Sequence, residues 1–529
     1  MTLTVHGLWV RAWRGRPPEG WLLLVALVAA VFMSAPVAYV GIRAFSEVGS
    51  RWTVLLNERV PTLLWNTVSL AAAVGLVAGT LGVTLAWLIN RTDLPGRRMW
   101  RWLLALPLAI PPYVGAMAYV IVFGPRGWVT DVFGSTPLDM YSFAGAAFVL
   151  SVFTYPYVYL VVGSATARLG RSHEDVARSL GLGPFAVFRR VTLPLMRPAI
   201  GAGVVLVVLY VLSDFGAVAL LRYSTFTSAI YYQMGGFDTG AAAILSVVLI
   251  ALTLLILGAE AATRHKARFY QTGGVASAPR LIELGRLKWA ALTYVAVVFT
   301  ISVAVPLAVL GYWTRQGLLE QGLDPRFFEF AINTVKAAGI AAVIAMVVAV
   351  PVVYLRSRHP SPPSTIIERL AYSGYALPGV IVALGVIFFS LRLAPAIYGT
   401  MFLVAVAYVI RFLPQAMQSV SASLAAVSPR IDEAARVAGL GPLSVVFRVI
   451  AHLIAPGVIA GGALVFVGSA KELPATLLLR PAGFDTLAVR VWIEAGEGAY
   501  HLAAPPALVI VLLSLLPLKW MLDRFQEAD

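Results

Sequence analysis

Two carboxylates stand inside apolar runs at matching places, Asp214 in Ser213-Asp-Phe-Gly-Ala-Val-Ala-Leu-Leu-Arg222 and Glu472 in Lys471-Glu-Leu-Pro-Ala-Thr-Leu-Leu-Leu-Arg480. An ionisable side chain in such a run is costly to bury and points to a partner or a water-filled path. A pair of carboxylates offers hard oxygen ligands and negative potential, which suits transient contact with a hard metal cation. Lys471 beside Glu472, and Arg411 in its own apolar run, offset part of that charge and favour passage over tight holding. The competing reading is that both acids only hydrogen-bond neighbouring helices. Arg411, near mid-depth in its run, is read as paired inside the bundle with Glu472, one to two helical turns away in depth, in preference to direct contact with substrate. The six histidines, His6, His173, His265, His359, His452 and His501, have no metal-ligand spacing. Cysteine is absent, which removes disulfides, thiolate metal sites and cysteine nucleophiles.

The elements that must position these charges are apolar helices. The 529 residues are 60% hydrophobic and 12% charged, with a mean hydropathy of +0.84. About twelve runs are long enough to cross a hydrocarbon core of roughly 30 Å as helix. They include Trp102–Phe123, Pro198–Leu221, Leu370–Leu391 and Ala455–Leu479. The runs are continuous in Leu, Ala and Val, which excludes the alternating pattern of a β-barrel. Trp21–Ile42 is too long for a signal peptide and is read as a retained helix. The acids fall about 16 residues, or ~25 Å, beyond the cytoplasmic start of their runs, in the outer part of the membrane.

The formal charge of +15 is a topology signal. With the N- and C-termini in the cytoplasm, most Lys and Arg lie on cytoplasmic segments, as the positive-inside rule requires. Attraction to anionic lipid is secondary. No basic module interleaved with aromatics is present to bind nucleic acid.

A Gly/Ser/Pro segment, Gln271–Pro279, divides two apolar blocks. The expected domains are residues 1–270, a linker 271–288, and residues 289–529. Asn66-Thr67-Val68 recurs as Asn333-Thr334-Val335. A longer match pairs Glu174–Pro198 with Asp432–Pro456, without a gap. Within it Ala177-Arg178, Gly181-Leu182-Gly183-Pro184, Val187, Arg190-Val191, Leu195 and Pro198 all recur. Six crossings per half give both halves one orientation, related by an axis along the membrane normal.

The matched segments resemble the EAA loop of binding-protein-dependent ABC importer permeases of type I. Asp175, Val176, Ala177, Gly181, Val191 and Leu193-Pro194 fit its pattern in the first loop, residues 165–197. Glu433, Ala434, Ala435, Gly439 and Val449 fit in the second, residues 421–455, where Ala451-His452 replaces Leu-Pro. The residues read as a short helix opening on acids, favourable at the positive end of the dipole. It stops where Gly takes a left-handed cap and Pro cannot continue.

The resemblance implies an all-α integral membrane protein with a cytoplasmic EAA coupling helix in each half. Asp175, Val176, Ala177, Arg178 and Gly181 would couple one ATPase copy, and Glu433, Ala434, Ala435, Arg436 and Gly439 a second. No Gly-x-x-x-x-Gly-Lys-Ser/Thr loop is present, so ATP and Mg belong to that separate subunit and this chain binds no cofactor. An extracytoplasmic binding protein would deliver the solute at the bacterial inner membrane. The segments around Asp214 and Glu472 resemble fused iron(III) permeases. That favours iron(III) over thiamine or other small solutes, with both acids as transient metal contacts and Arg411 and Lys471 beside the path. The rival class is an ion-gradient-driven secondary transporter, against which the duplicated loop speaks.

Overall fold

The computed structural model describes residue 13 and residues 17–46, 50–168, 172–264, 281–320 and 322–527. The linker segment Gln271–Pro279, His6 and His265 lie outside the described residues. The first half runs α1 (Gly20–Ser46), α2 (Val60–Arg91), α3 (Arg97–Leu103), α4 (Pro112–Phe123), α5 (Trp128–Phe133), α6 (Phe143–Arg168), α7 (Ser172–Ser179), α8 (Leu193–Ser213), α9 (Gly216–Leu220), α10 (Phe226–Gly235) and α11 (Thr239–Arg264). The second runs α12 (Leu287–Phe299), α13 (Val305–Glu320), α14 (Phe327–Arg358), α15 (Pro362–Ala371), α16 (Gly379–Leu393), α17 (Met401–Ala425), α18 (Arg430–Val437), α19 (Ala455–Ala470), α20 (Pro474–Leu479), α21 (Leu487–Gly496) and α22 (Tyr500–Glu527). Among the described residues there is no named strand; Thr92 and Ile282 form one isolated bridge.

Among the described residues, eight helices are long and apolar enough to cross a membrane, and two further candidates are bent pairs. Several expected spans break where the sequence removes backbone donors. Trp102–Phe123 is no single rod: Arg97–Ala109 and Pro112–Phe133 meet at 92°. Pro111 and Pro112 cannot donate to the preceding turn. Leu370–Leu391 is interrupted by a 3-10 turn, Ser373–Ala376, ahead of Pro378 and α16. Pro198–Leu221 and Ala455–Leu479 are broken as well, at Asp214 and at Lys471-Glu472, where each carboxylate accepts from the amides that open the next short helix. α8 starts earlier, carries Pro198 inside it and ends at Ser213, and α19 ends at Ala470. Asp214, Lys471 and Glu472 therefore sit at helix breaks and not within helices.

The order of elements repeats. α2, α6 and α8 pack mutually in one half, as α14, α17 and α19 do in the other. Close approach without a hydrophobic drive needs small residues; a Cβ on Gly203 of α8 would lie 2.9 Å from Val158 Cα of α6. The repeated Asn-Thr pairs have the same task. Asn66 donates to the Ser224 carbonyl at 3.1 Å, and Asn333 to the Asp485 carbonyl at 3.2 Å. Thr67 accepts from the Phe226 amide and Thr334 from the Leu487 amide. Each pair thus pins the loop that enters α10 or α21.

The opening helices are exchanged. α1 packs on α14, α15 and α16 of the second half as well as on α11 of its own, and α13 packs on α4 of the first as well as on α22. The Tyr119 hydroxyl of α4 donates to the Ile301 carbonyl, which lies in the π-turn Thr300–Ala304 between α12 and α13.

Candidate functional site

The first group of matched residues forms two exposed elbows. α7 and α18 are eight residues each, and both end as the glycines demand. Gly181 and Gly439 each have φ +83°. The Gly181 amide bonds the Arg178 carbonyl at 2.9 Å and the Leu182 amide that of Ala177 at 3.2 Å. Gly439 to Arg436, at 3.0 Å, and Leu440 to Ala435, at 3.1 Å, repeat the geometry. This is a Schellman closure, which satisfies the last carbonyls through a left-handed residue. Ala177 and Ala435 face inward, whereas Glu433, Ala434 and Arg436 are exposed. Asp175 lies in α7 and Val176 is exposed. Apolar side chains also point outward, Leu180 at 77% and Val437 at 90% exposure. A π-turn follows each elbow, Phe188–Thr192 and Val445–Ile450; such turns recur at functional positions.

The second group gathers at the two helix breaks. Asp214 Oδ1 accepts from the amides of Ala217 and Val218 at 3.1 and 3.2 Å, so it caps α9. Glu472 Oε1 accepts from the Ala475 amide at 3.2 Å, the equivalent cap on α20. The acids are 9% and 5% exposed. Arg411 Nη1 donates to Glu472 Oε1 at 2.7 Å. The two breaks approach one another, since a Cβ on Gly216 would lie 3.1 Å from Leu473 Cδ2. Gly379, first residue of α16, lies against Arg411, Glu472 and Pro474, where a Cβ would collide. Tyr408 shares a 2.6 Å hydrogen bond with Thr476, whose hydroxyl donates to the Glu472 carbonyl at 2.8 Å.

Lys471 does not join the acids. Its Nζ donates to the Leu108 carbonyl at 3.0 Å, tying the second half's break to the bend of the first. The structure brings Asp214, Glu472 and Arg411 together and turns Lys471 to one side. Only Glu472 has its own arginine: the first-half equivalent of Arg411, at the same offset of 258 that relates Asp214 to Glu472, is the buried Phe153. Among the described residues, no three His, Asp or Glu side chains converge as a resident metal site.

Sequence reasoning missed Asp432. It is the buried acid of α18, held by Arg358 Nε at 2.8 Å and by the Tyr354 hydroxyl at 3.2 Å. A signal existed, because α2 and α14 both end on arginine, Arg91 and Arg358. Also missed is an ionic cluster at the other end of α14, where Arg490 meets Asp485 at 3.6 Å and Asp324 at 3.9 Å. Glu494 joins it through Arg490, and Arg480 through Asp485.

Residues 78–268 match the family described as "Binding-protein-dependent transport system inner membrane component". The Fe(3+)-transport system permease protein FbpB 2 of Haemophilus influenzae is 33% identical over 510 residues, 95% of this chain and 98% of its own length. The sulfate transport system permease protein CysW of Escherichia coli is 33% identical over 37% of this chain and 69% of its own. The molybdenum transport system permease protein ModB of Mycobacterium tuberculosis is 32% identical over 46% of this chain and 94% of its own.

Proposed function

Because the chain belongs to the family of binding-protein-dependent transport system inner membrane components, we propose that it is the membrane permease of an ATP-driven importer for iron(III). The extent of one match carries the cargo. The Fe(3+) permease aligns nearly end to end with this chain, whereas the sulfate and molybdenum permeases align with less than half of it. Carboxylates at the breaks agree in sign, since negative potential attracts a cation and repels an oxyanion such as sulfate.

The eight long spans, the two bent pairs and the shorter apolar helices Gly379–Leu393 and Tyr500–Leu515 make twelve crossings, six to each half. The halves are residues 1–270 and 289–529, joined by the linker 271–288. A molybdenum permease that covers 94% of itself on 46% of this chain supports that division. Two copies of a separate ABC ATPase, which carry ATP and Mg, dock on α7 and α18. Exposed Val176 and Leu180 at the first elbow and Val437 at the second offer apolar contacts to a partner. A soluble binding protein delivers cargo on the opposite face.

Sidedness follows from this arrangement, with both termini cytoplasmic. The native chain has no cysteine, and Ser135, Ser179 and Ser428 are exposed. Single cysteines at Ser179 and Ser428 are expected to react with an impermeant maleimide only from the cytoplasmic side, and one at Ser135 only from outside. Labelling of Ser135 and Ser179 from one side would overturn the topology.

Proteoliposomes holding the chain, its ATPase and its binding protein are expected to accumulate iron(III), and not thiamine, only with ATP inside the cytoplasmic compartment. Uptake driven by an ion gradient without ATP would establish a secondary transporter instead. Asp214 and Glu472 line the path in this reading. Asp214→Asn with Glu472→Gln keeps both side-chain shapes and a carbonyl acceptor for the caps and for Arg411, so the fold and ATPase docking should persist, at some loss of stability from the unpaired Arg411 charge. Iron uptake should fall about ten-fold or more, the scale of losing one charge-assisted contact of ~1.5–3 kcal/mol. Wild-type uptake by the double variant would leave the acids as helix caps alone.

A further inference from the structure

The end of α14 beside α18 is a junction of charged contacts. Arg358, its last residue, donates from Nε to Asp432 Oδ2 at 2.8 Å and from Nη2 to the Val427 carbonyl at 2.9 Å. The paired side chains are only 9% and 10% exposed. Tyr354, one turn back, donates to the same Asp432 oxygen. Arg356 binds Glu368 of α15 at 3.0 Å. From α15 the chain passes through the turn Ser373–Ala376 into α16, whose Gly379 rests against Arg411 and Glu472.

An eight-residue helix held only by its flanking loops would swivel under a push. A buried charge pair is a poor source of adhesion, because well-packed apolar residues hold as firmly. Its directional hydrogen bonds fix orientation instead. We propose that Asp432 and Arg358 are positioning residues that lock α18 to α14 as one body, and that Arg356–Glu368 passes its displacement through α15 and α16 to the Arg411–Glu472 break. This rests on the reading of the chain as an ATP-driven permease. The route bypasses the peptide connections through α17 and α19, so motion of the elbow and opening of the break share side chains that touch neither ATPase nor cargo. Arg91, at the matching end of α2, is also buried.

The test is a double-mutant cycle on the full chain with its ATPase and binding protein in proteoliposomes, read as iron taken up per ATP hydrolysed. Asp432→Asn and Arg358→Gln are each expected to lower that ratio about five-fold, with the double variant no worse than either, since residues in one contact are non-additive. Arg358→Lys should restore part of the ratio, and ATPase co-purification should stay near wild type. Additive losses, an unchanged ratio, or loss of ATPase in step with uptake would overturn the latch. If the single variants do not fold, Tyr354→Phe and Glu368→Gln decide: a lowered ratio in both supports the route, and a wild-type ratio in both refutes it. Failure of the wild-type assembly to couple ATP to uptake would sink the permease reading itself, independently of the latch.

Discussion

Valine at both Gly181 and Gly439 is expected to abolish ATP-driven uptake and reduce ATPase co-purification at least ten-fold, while the protein still folds and inserts. Both glycines have φ +83°, a region that a β-branched residue enters only with strain of ~1–3 kcal/mol. A Cβ at either position meets nothing within 4 Å, so the effect is a backbone effect and not a clash. The strain is relieved by giving up the two closing hydrogen bonds of each elbow, from residues 181 and 182 and from 439 and 440. That frays the helix end and swings the exposed Leu180 and Val437 out of register. Across two elbows the strain sums to ~2–6 kcal/mol, since distant sites add. Such a sum exceeds the 1.4 kcal/mol that makes ten-fold in an equilibrium. Gly439→Ala alone should have a smaller effect of the same sign. Pull-down of the ATPase and vesicle uptake measure it, and normal values for both would remove α7 and α18 as the docking elements.

How much of this was legible follows from which physics each residue obeys. The elbows were readable because their signals are local: acids at a helix start, and Gly-Leu-Gly-Pro at its end, recurring at Gly181 and Gly439. The apolar helices were readable as a class but not in shape, and eight of them, with two bent pairs, pass as spans among the described residues where about twelve were expected. Hydropathy averages across Asp214-Phe215 and Lys471-Glu472-Leu473, whereas the backbone breaks there because each carboxylate caps the short helix that follows it. The acids drew notice by their expense in an apolar run, and they were misplaced within helices. Arg411 and Glu472 were paired from depth alone, and they do pair. Asp432 escaped because its partner lies 74 residues away, and a buried acid beside exposed Glu433 has no distinguishing local mark. Lys471 was grouped with the acids by adjacency, but at a break successive side chains diverge, and it reaches Leu108 in the other half.

Arg411→Phe is expected to be the most destabilising single change near the breaks. The Arg411–Glu472 pair is 2.7 Å long, with the glutamate side chain 4% and the arginine 20% exposed. Removing one member of a buried pair leaves the other charge uncompensated, at about 3–5 kcal/mol. Glu472 then keeps only the Ala475 amide for its Oε1, in a setting where a lone carboxylate is expensive. Phenylalanine is the instructive replacement because the first half already carries it at the equivalent Phe153, 2% exposed. At the first break Asp214 accepts from the Ala217 and Val218 amides, and a Phe stands at the place equivalent to Arg411, so the repeat accommodates a Phe there. The deficit of Arg411→Phe should thus come from the stranded charge and not from shape. Arg411→Phe with Glu472→Gln is expected to recover most of the lost stability, since the uncharged amide can still accept from Ala475. Unfolding of the detergent-solubilised protein, followed with increasing denaturant or temperature, distinguishes the outcomes. An equal loss in the single and double variants would mean that packing, not charge, holds the break together. Recovery of stability without recovery of iron uptake would separate the two roles of this pair, as a strut between α17 and the second break and as a charge beside the path.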